Sequence, residues 1–167
     1  MRERLLALAP EFSGTSATLV SAPAGFGKST LVSHWLDHDA RNTAWLSLET
    51  EDSDLRHFAS YVVAALASVV PDCCDETVRA LHSLEILDAV SLAGLFCNDL
   101  DSLNTPVVLV LDDYHKITAV EVHEFLDTLL RRPPRGLHIV IVTRRDPPLA
   151  LQALRANGSL TEVRMRN

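Results

Sequence analysis

The stretch "SAPAGFGKST", Ser21 to Thr30, gathers two glycines, a lysine and two adjacent hydroxyls. Its centre, "APAGFGKS", fits the phosphate-loop pattern G-x-x-x-x-G-K-[ST], with Ala22 where the pattern begins on glycine. Phosphate is held by backbone N–H groups curled around it, which needs residues free to take unusual backbone angles, here Gly25 and Gly27. A helix starting near Lys28 turns its N-terminus toward the anion. Lys28 is then expected on the β- and γ-phosphates and the Ser29 hydroxyl on Mg²⁺. The expected nucleotide-binding set is Ala22, Pro23, Ala24, Gly25, Phe26, Gly27, Lys28, Ser29 and Thr30. Lysine is scarce: Lys28 and Lys116 stand against thirteen arginines.

A phosphate loop predicts an apolar strand ending in an acid. "VVLVLDDYH" supplies one, with Asp112 as the expected metal acid. Asp113 is placed to orient or deprotonate an attacking water, with pairing to an arginine as the alternative. A third feature, "IVIVTRRDPP", puts Thr143, Arg144 and Arg145 at another strand end, where an arginine can meet a γ-phosphate by charge-assisted hydrogen bonds. Arg144 is the better candidate; Arg145 is read as solvent-facing or at a subunit contact. His115 follows the acids, and packing is favoured over a nucleotide contact. His34 and His38, four apart on a helix, lack an evident third metal ligand and read as surface residues.

These groups need strands to carry them. "ATLVSA" (17–22), "TAWLSLE" (43–49), "VVLVL" (107–111), "LHIVIVT" (137–143) and, less clearly, "LTEVRM" (160–165) are β-type runs. Continuous Val, Ile and Leu runs suit strands covered on both faces. Helix-type stretches alternate with them: "KSTLVSHWLDH", "DLRHFASYVVAALASVV", "DAVSLAGLFCNDLDSL" and "AVEVHEFLDTLLRR". In the second, Phe58, Tyr61, Val62, Ala65, Leu66 and Val69 form the expected buried stripe. Residues 71–88 are expected to be a loop with one short helix. The fold class is α/β: a three-layer P-loop NTPase with a mostly parallel five-stranded sheet flanked by helices.

The 167 residues suit one domain. Residues 1–130 hold 7 basic and 20 acidic residues, and residues 131–167 hold 8 arginines and 2 acids. The overall charge of −7 is not that of a surface built wholly for nucleic acid, and the acidic first 130 residues argue against a nucleic-acid motor. The basic segment reads either as a solvated face or as a surface for an anion or partner. Cys73, Cys74 and Cys97 have neither disulfide-framework nor zinc spacing and fit a reducing compartment. No apolar run is long enough to span a membrane. The expected location is cytoplasmic.

With all three elements in place, "TLVSAPAGFGKSTLVSHWL", "TAWLSLE", "LVLDDYHKI" and "LHIVIVTRRDPPLALQALRANGSLTEVR" resemble one family. This is the nucleotide-binding domain of the large ATP-binding LuxR-family transcription regulators, the MalT-like group of STAND-class P-loop NTPases. The resemblance runs from about Arg4 to Arg166. Arg145 departs from the small polar residue expected after Arg144, and Ser29 replaces the commoner threonine. The resemblance implies ATP/ADP and Mg²⁺ as cofactors, and Asp113 and Arg144 as catalytic residues. It implies self-association of the full-length protein in the ATP state, and DNA contact only through a C-terminal helix-turn-helix outside residues 1–167. Winged-helix and sensor-repeat segments are likewise expected outside this chain, which reads as a single domain of a longer regulator. The expected function is an ATP-binding regulatory switch with slow hydrolysis. An ATP-binding module without hydrolysis and a small-molecule P-loop kinase remain as alternatives.

Overall fold

Residues 14–165 are described by a computed structural model. The strands are β1 (Ala17–Ser21), β2 (Asn42–Ser47), β3 (Val107–Asp112), β4 (Leu137–Thr143) and β5 (Leu160–Arg164). They form one sheet in the order β2-β3-β4-β1-β5, every neighbouring pair parallel. The helices are α1 (Lys28–Leu36), α2 (Leu55–Ala67), α3 (Asp75–His82), α4 (Ala89–Asp101), α5 (Val120–Arg131) and α6 (Leu151–Ala156). Single 3₁₀ turns follow β2 (Thr50–Asp52) and β3 (Tyr114–Lys116). Among the described residues, no helix is long and apolar enough to cross a membrane.

Strand geometry sends alternate side chains to opposite faces, and the sequence gives the faces different characters. Leu109 and Leu111 of β3, with Ile139 and Ile141 of β4, join Phe58, Phe96 and Phe125 in the larger core under α2 to α6. Val108, Val110, Val140 and Val142 face the other way, against Leu31, Val32 and Trp35 of α1. The central strands are buried on both sides, so they carry the continuous apolar runs expected of a covered parallel sheet. The edge strands β2 and β5 are only partly buried.

All five expected strands and four expected helices form. Residues 71–88 hold the single short helix α3. The stripe on α2 is rotated from the expected one: Ala59 and Val63 are buried with Phe58, Val62 and Leu66, whereas Tyr61 is 46% exposed. Its ring packs edge-on against His57 instead, with centroids 4.5 Å apart. The six-residue α6 was not anticipated; two leucines, Leu151 and Leu154, seat it on the larger core.

Candidate functional site

The chain leaves β1 through α1 on the valine face but leaves β4 through α6 on the opposite face. Neighbouring strands whose connections depart to opposite sides open a crevice beyond their C-terminal ends, where open α/β sheets receive ligands. Register aligns Ser21 of β1 with Thr143 of β4, and Leu111 of β3 with Ile141 of β4. The Ala22 loop, Asp112 and Arg144 therefore emerge along one edge.

Ala22 extends the ladder by donating its N–H to the Thr143 carbonyl (3.2 Å), and its φ is not positive. Nothing there demands the glycine of the usual pattern. Gly25 and Gly27 do need their freedom, at φ 80° and 70°. Among the described residues no atom lies within 4 Å of where a Cβ would stand on either, so backbone conformation rather than crowding selects glycine. Gly27 is the N-cap of α1, leaving the first-turn N–H groups directed at the crevice. Phe26 packs on the valine face and anchors the loop, while Ser29 is half-buried and Thr30 exposed.

Lys28 is 8% exposed, and its Nζ donates to the Pro23 carbonyl (2.9 Å). Burial lowers the affinity of its amine for a proton; the Arg144 guanidinium adds to this, and Asp113 then Asp112 oppose it. Lysine and arginine thus share one electrostatic environment across the mouth of the crevice. A phosphate anion between them would relieve their repulsion and stabilise the ammonium. Asp112 is buried, and its Oδ1 accepts the Asp113 N–H (2.8 Å). Asp113 adopts a left-handed backbone (φ 58°, ψ 36°) and opens the Tyr114–Lys116 turn. Among the described residues, no group of three or more His, Cys, Asp or Glu could hold a metal. A single buried carboxylate would suit a hard cation bound chiefly through substrate phosphates and water, as Mg²⁺ usually is.

The two strand-end arginines divide. Arg144 is exposed and acts electrostatically on Lys28 and on His115. Arg145 instead lines a separate cavity of about 210 Å³ with Tyr114, His115, His123 and Pro147. The Thr143 hydroxyl donates to the Arg145 carbonyl (2.7 Å) and fixes the turn between them. His115 packs at the strand end, with its side chain 14% exposed and beside Asp113. Among the described residues its buried Nδ1 has no hydrogen-bond partner, and it lies 4.0 Å from Asp113 Oδ1. Burial lowers its proton affinity, and Arg144, Lys116 and Lys28 act in the same direction against Asp113.

His34 and His38 stay apart from the site as expected, exposed on and just beyond α1 with rings 5.1 Å apart. Cys73 and Cys74 are free, buried thiols whose pKa values burial raises. Part of the basic segment is neutralised locally: Arg155 pairs with Glu162 (2.7 Å), and Arg164 with Asp146 (2.7 Å) and Glu162 (2.8 Å). Sequence reading missed Lys116 and Glu49. The Lys116 ammonium lies 3.6 Å from Asp113 Oδ2 and 2.8 Å from Glu49 Oε2. Lysine scarcity was the available signal for the first; Glu49, 67 residues away, had none.

Residues 1–142 match the family described as AAA ATPase domain. The chain is 36% identical over 165 residues to the HTH-type transcriptional regulator MalT of Serratia proteamaculans, covering 98% of this chain and 18% of that protein. It is 34% identical over 168 residues to the MalT of Yersinia enterocolitica, covering 99% of this chain and 18% of the relative. The chain thus spans 18% of the length of these curated relatives. Among solved structures it is similar to Cdc6p from Pyrobaculum aerophilum (TM-score 0.56, 17% identity, 87% of this chain and 38% of that one). It is also similar to the Aeropyrum pernix ORC1 protein in complex with DNA (TM-score 0.57, 18% identity, 98% and 44%). At these identities the structural likeness speaks for the fold. The MalT-like resemblance carried by the phosphate loop, "DDYH" and "TRRDPPL" extends across nearly the whole chain, and the chain belongs to the AAA ATPase domain family.

Proposed function

We propose that this domain binds Mg-ATP at the β1–β4 crevice and serves as the regulatory switch of a larger, cytoplasmic MalT-like transcription regulator. The observation that carries the reading is the meeting of Lys28, Arg144, Asp112 and Asp113 at one sheet edge, beside a helix N-terminus. The Gly25–Thr30 amides cradle phosphate oxygens, and Lys28 exchanges its bond to the Pro23 carbonyl for the β- and γ-phosphates. Ser29 and Asp112 hold Mg²⁺, which supplies charge neutralisation on the phosphates. Asp113 orients an attacking water and accepts its proton. Arg144 balances charge building on the γ-phosphate. ADP is then the released product.

Hydrolysis on this reading is slow, because a switch requires states of different affinity rather than rapid turnover. ATP favours a self-associating form of the full regulator. DNA is read by a helix-turn-helix elsewhere in that protein, in keeping with the HTH-type name of the relatives. The deciding experiment is calorimetric titration of Mg-ATP into the native chain and the Lys28→Ala variant. Affinity should fall by roughly 100-fold or more, about 2.7 kcal/mol, with the circular dichroism spectrum unchanged. Native affinity in the folded variant would overturn the assignment.

A further inference from the structure

Both lysines of the chain act electrostatically on one carboxylate. Asp113 raises the proton affinity of Lys28 more than Asp112 does, and the Lys116 ammonium lies 3.6 Å from Asp113 Oδ2. We propose that Lys116, itself held by Glu49, is a positioning residue that fixes the Asp113 carboxylate for the attacking water. This rests on the reading of Asp113 given above.

The geometry has three parts. First, the two Asp113 oxygens are differentiated: Oδ2 lies 3.6 Å from Lys116 Nζ, and Oδ1 lies 4.0 Å from His115 Nδ1. The left-handed backbone at Asp113 and the Lys116 N–H bond to the Asp113 carbonyl (3.0 Å) tie the residues into one turn. Second, Lys116 is anchored from outside that turn. Its Nζ donates to Glu49 Oε2 (2.8 Å) just beyond the end of β2. Glu49 in turn caps the following 3₁₀ turn, its N–H donating to Asp52 Oδ2 (2.7 Å). Third, Ser53 joins the same two segments independently. Its hydroxyl donates to the Lys116 carbonyl (3.4 Å) and accepts the Thr118 N–H (3.0 Å). Removing the Lys116 charge therefore frees the Asp113 side chain without releasing the backbone.

Lys116 serves two carboxylates through one ammonium, as Arg164 serves Asp146 and Glu162 through its guanidinium. The exposure of the Glu49 partner limits its worth to folding, so the consequence falls on Asp113.

The test compares the native chain with Lys116→Met, Lys116→Arg, Glu49→Gln and Asp113→Asn, using Mg-ATP as ligand and phosphate release as the rate. Lys116→Met should lower kcat by about 10-fold with KM within about twofold of native, because an interaction made at the reacting water is lost. Lys116→Arg should recover part of that loss. Glu49→Gln should lower kcat by about threefold, and should add little on top of Lys116→Met because the residues act in one chain. Native kcat in Lys116→Met, or a loss confined to KM, overturns the proposal. Asp113→Asn separates the two readings: native turnover in that variant removes the Asp113 assignment itself. Crystal structures of the native chain and Lys116→Met provide a readout without turnover. The Asp113 carboxylate should leave its place between His115 and Lys116 in the variant, and an unmoved carboxylate refutes the positioning role.

Discussion

His138 is the second residue of the fully buried strand β4 and has both ring nitrogens engaged, although it lies at the far end of the strand from the crevice. Nδ1 faces the Thr15 carbonyl (2.9 Å), which can only accept, so Nδ1 carries the proton. Nε2, 2.8 Å from the Thr18 hydroxyl, is left to accept. Burial lowers the pKa from 6.5 to about 4 and outweighs the Thr15 carbonyl, which favours the charged ring. Between these values the unfolded chain binds more protons than the folded one. Stability is complete above pH 6.5 and is lost as pH falls toward 4. The linked loss is on the order of 3 kcal/mol, and urea melts between pH 7 and 4 should show it. His138→Gln, which does not titrate, should flatten the slope over that window; an unchanged slope would assign it to other groups. Single residues were legible where chemistry dictates local spacing, as in Ala22–Thr30 or Asp112–Asp113. The Thr18–His138 and Glu49–Lys116 pairs join residues 120 and 67 apart, and no local pattern announces them.

At the scale of elements, the helices over the larger core are held together by aromatic contact. Phe125 of α5 meets Phe58 of α2 with ring centroids 6.2 Å apart and Phe96 of α4 at 5.8 Å. All three rings are fully buried. Phe125→Ala opens a cavity shared by three helices and should cost about 3–5 kcal/mol, read as a lower urea midpoint with an unchanged m-value. A cost below about 1 kcal/mol would mean that the helices close over the gap. The strands were legible because parallel, doubly covered β-structure needs unbroken apolar runs. The edge strand β5 showed less clearly, in the run "LTEVRM", because it is only partly buried and carries polar residues. The stripe on α2 was harder to read: its apolar residues wrap most of the helix, and neighbouring helices decide which of them to cover. Ala59 and Val63 are covered there and Tyr61 is not. The short α6 has too few turns for periodicity to register and is fixed by what Leu151 and Leu154 touch.

For the whole molecule, charge and ligand act on the same edge. Lys28 and Arg144 face Asp112 and Asp113 across the crevice, so an anion seated there would draw on the N-terminus of α1 as well as on the two cations. A ligand seated there touches the loop after β1, the end of β3 and the turn after β4, and so binds the folded arrangement alone. Mass action then couples occupancy to global stability. At free Mg-ATP near 100 times its dissociation constant the gain is about 2.7 kcal/mol. For a domain of this size that corresponds to a rise in Tm of roughly 5–10 °C. The rise should depend on Mg-ATP concentration in scanning calorimetry and vanish in Lys28→Ala. Equal rises in the two proteins would mean that the nucleotide stabilises the fold from another surface, and the crevice would lose its claim to it.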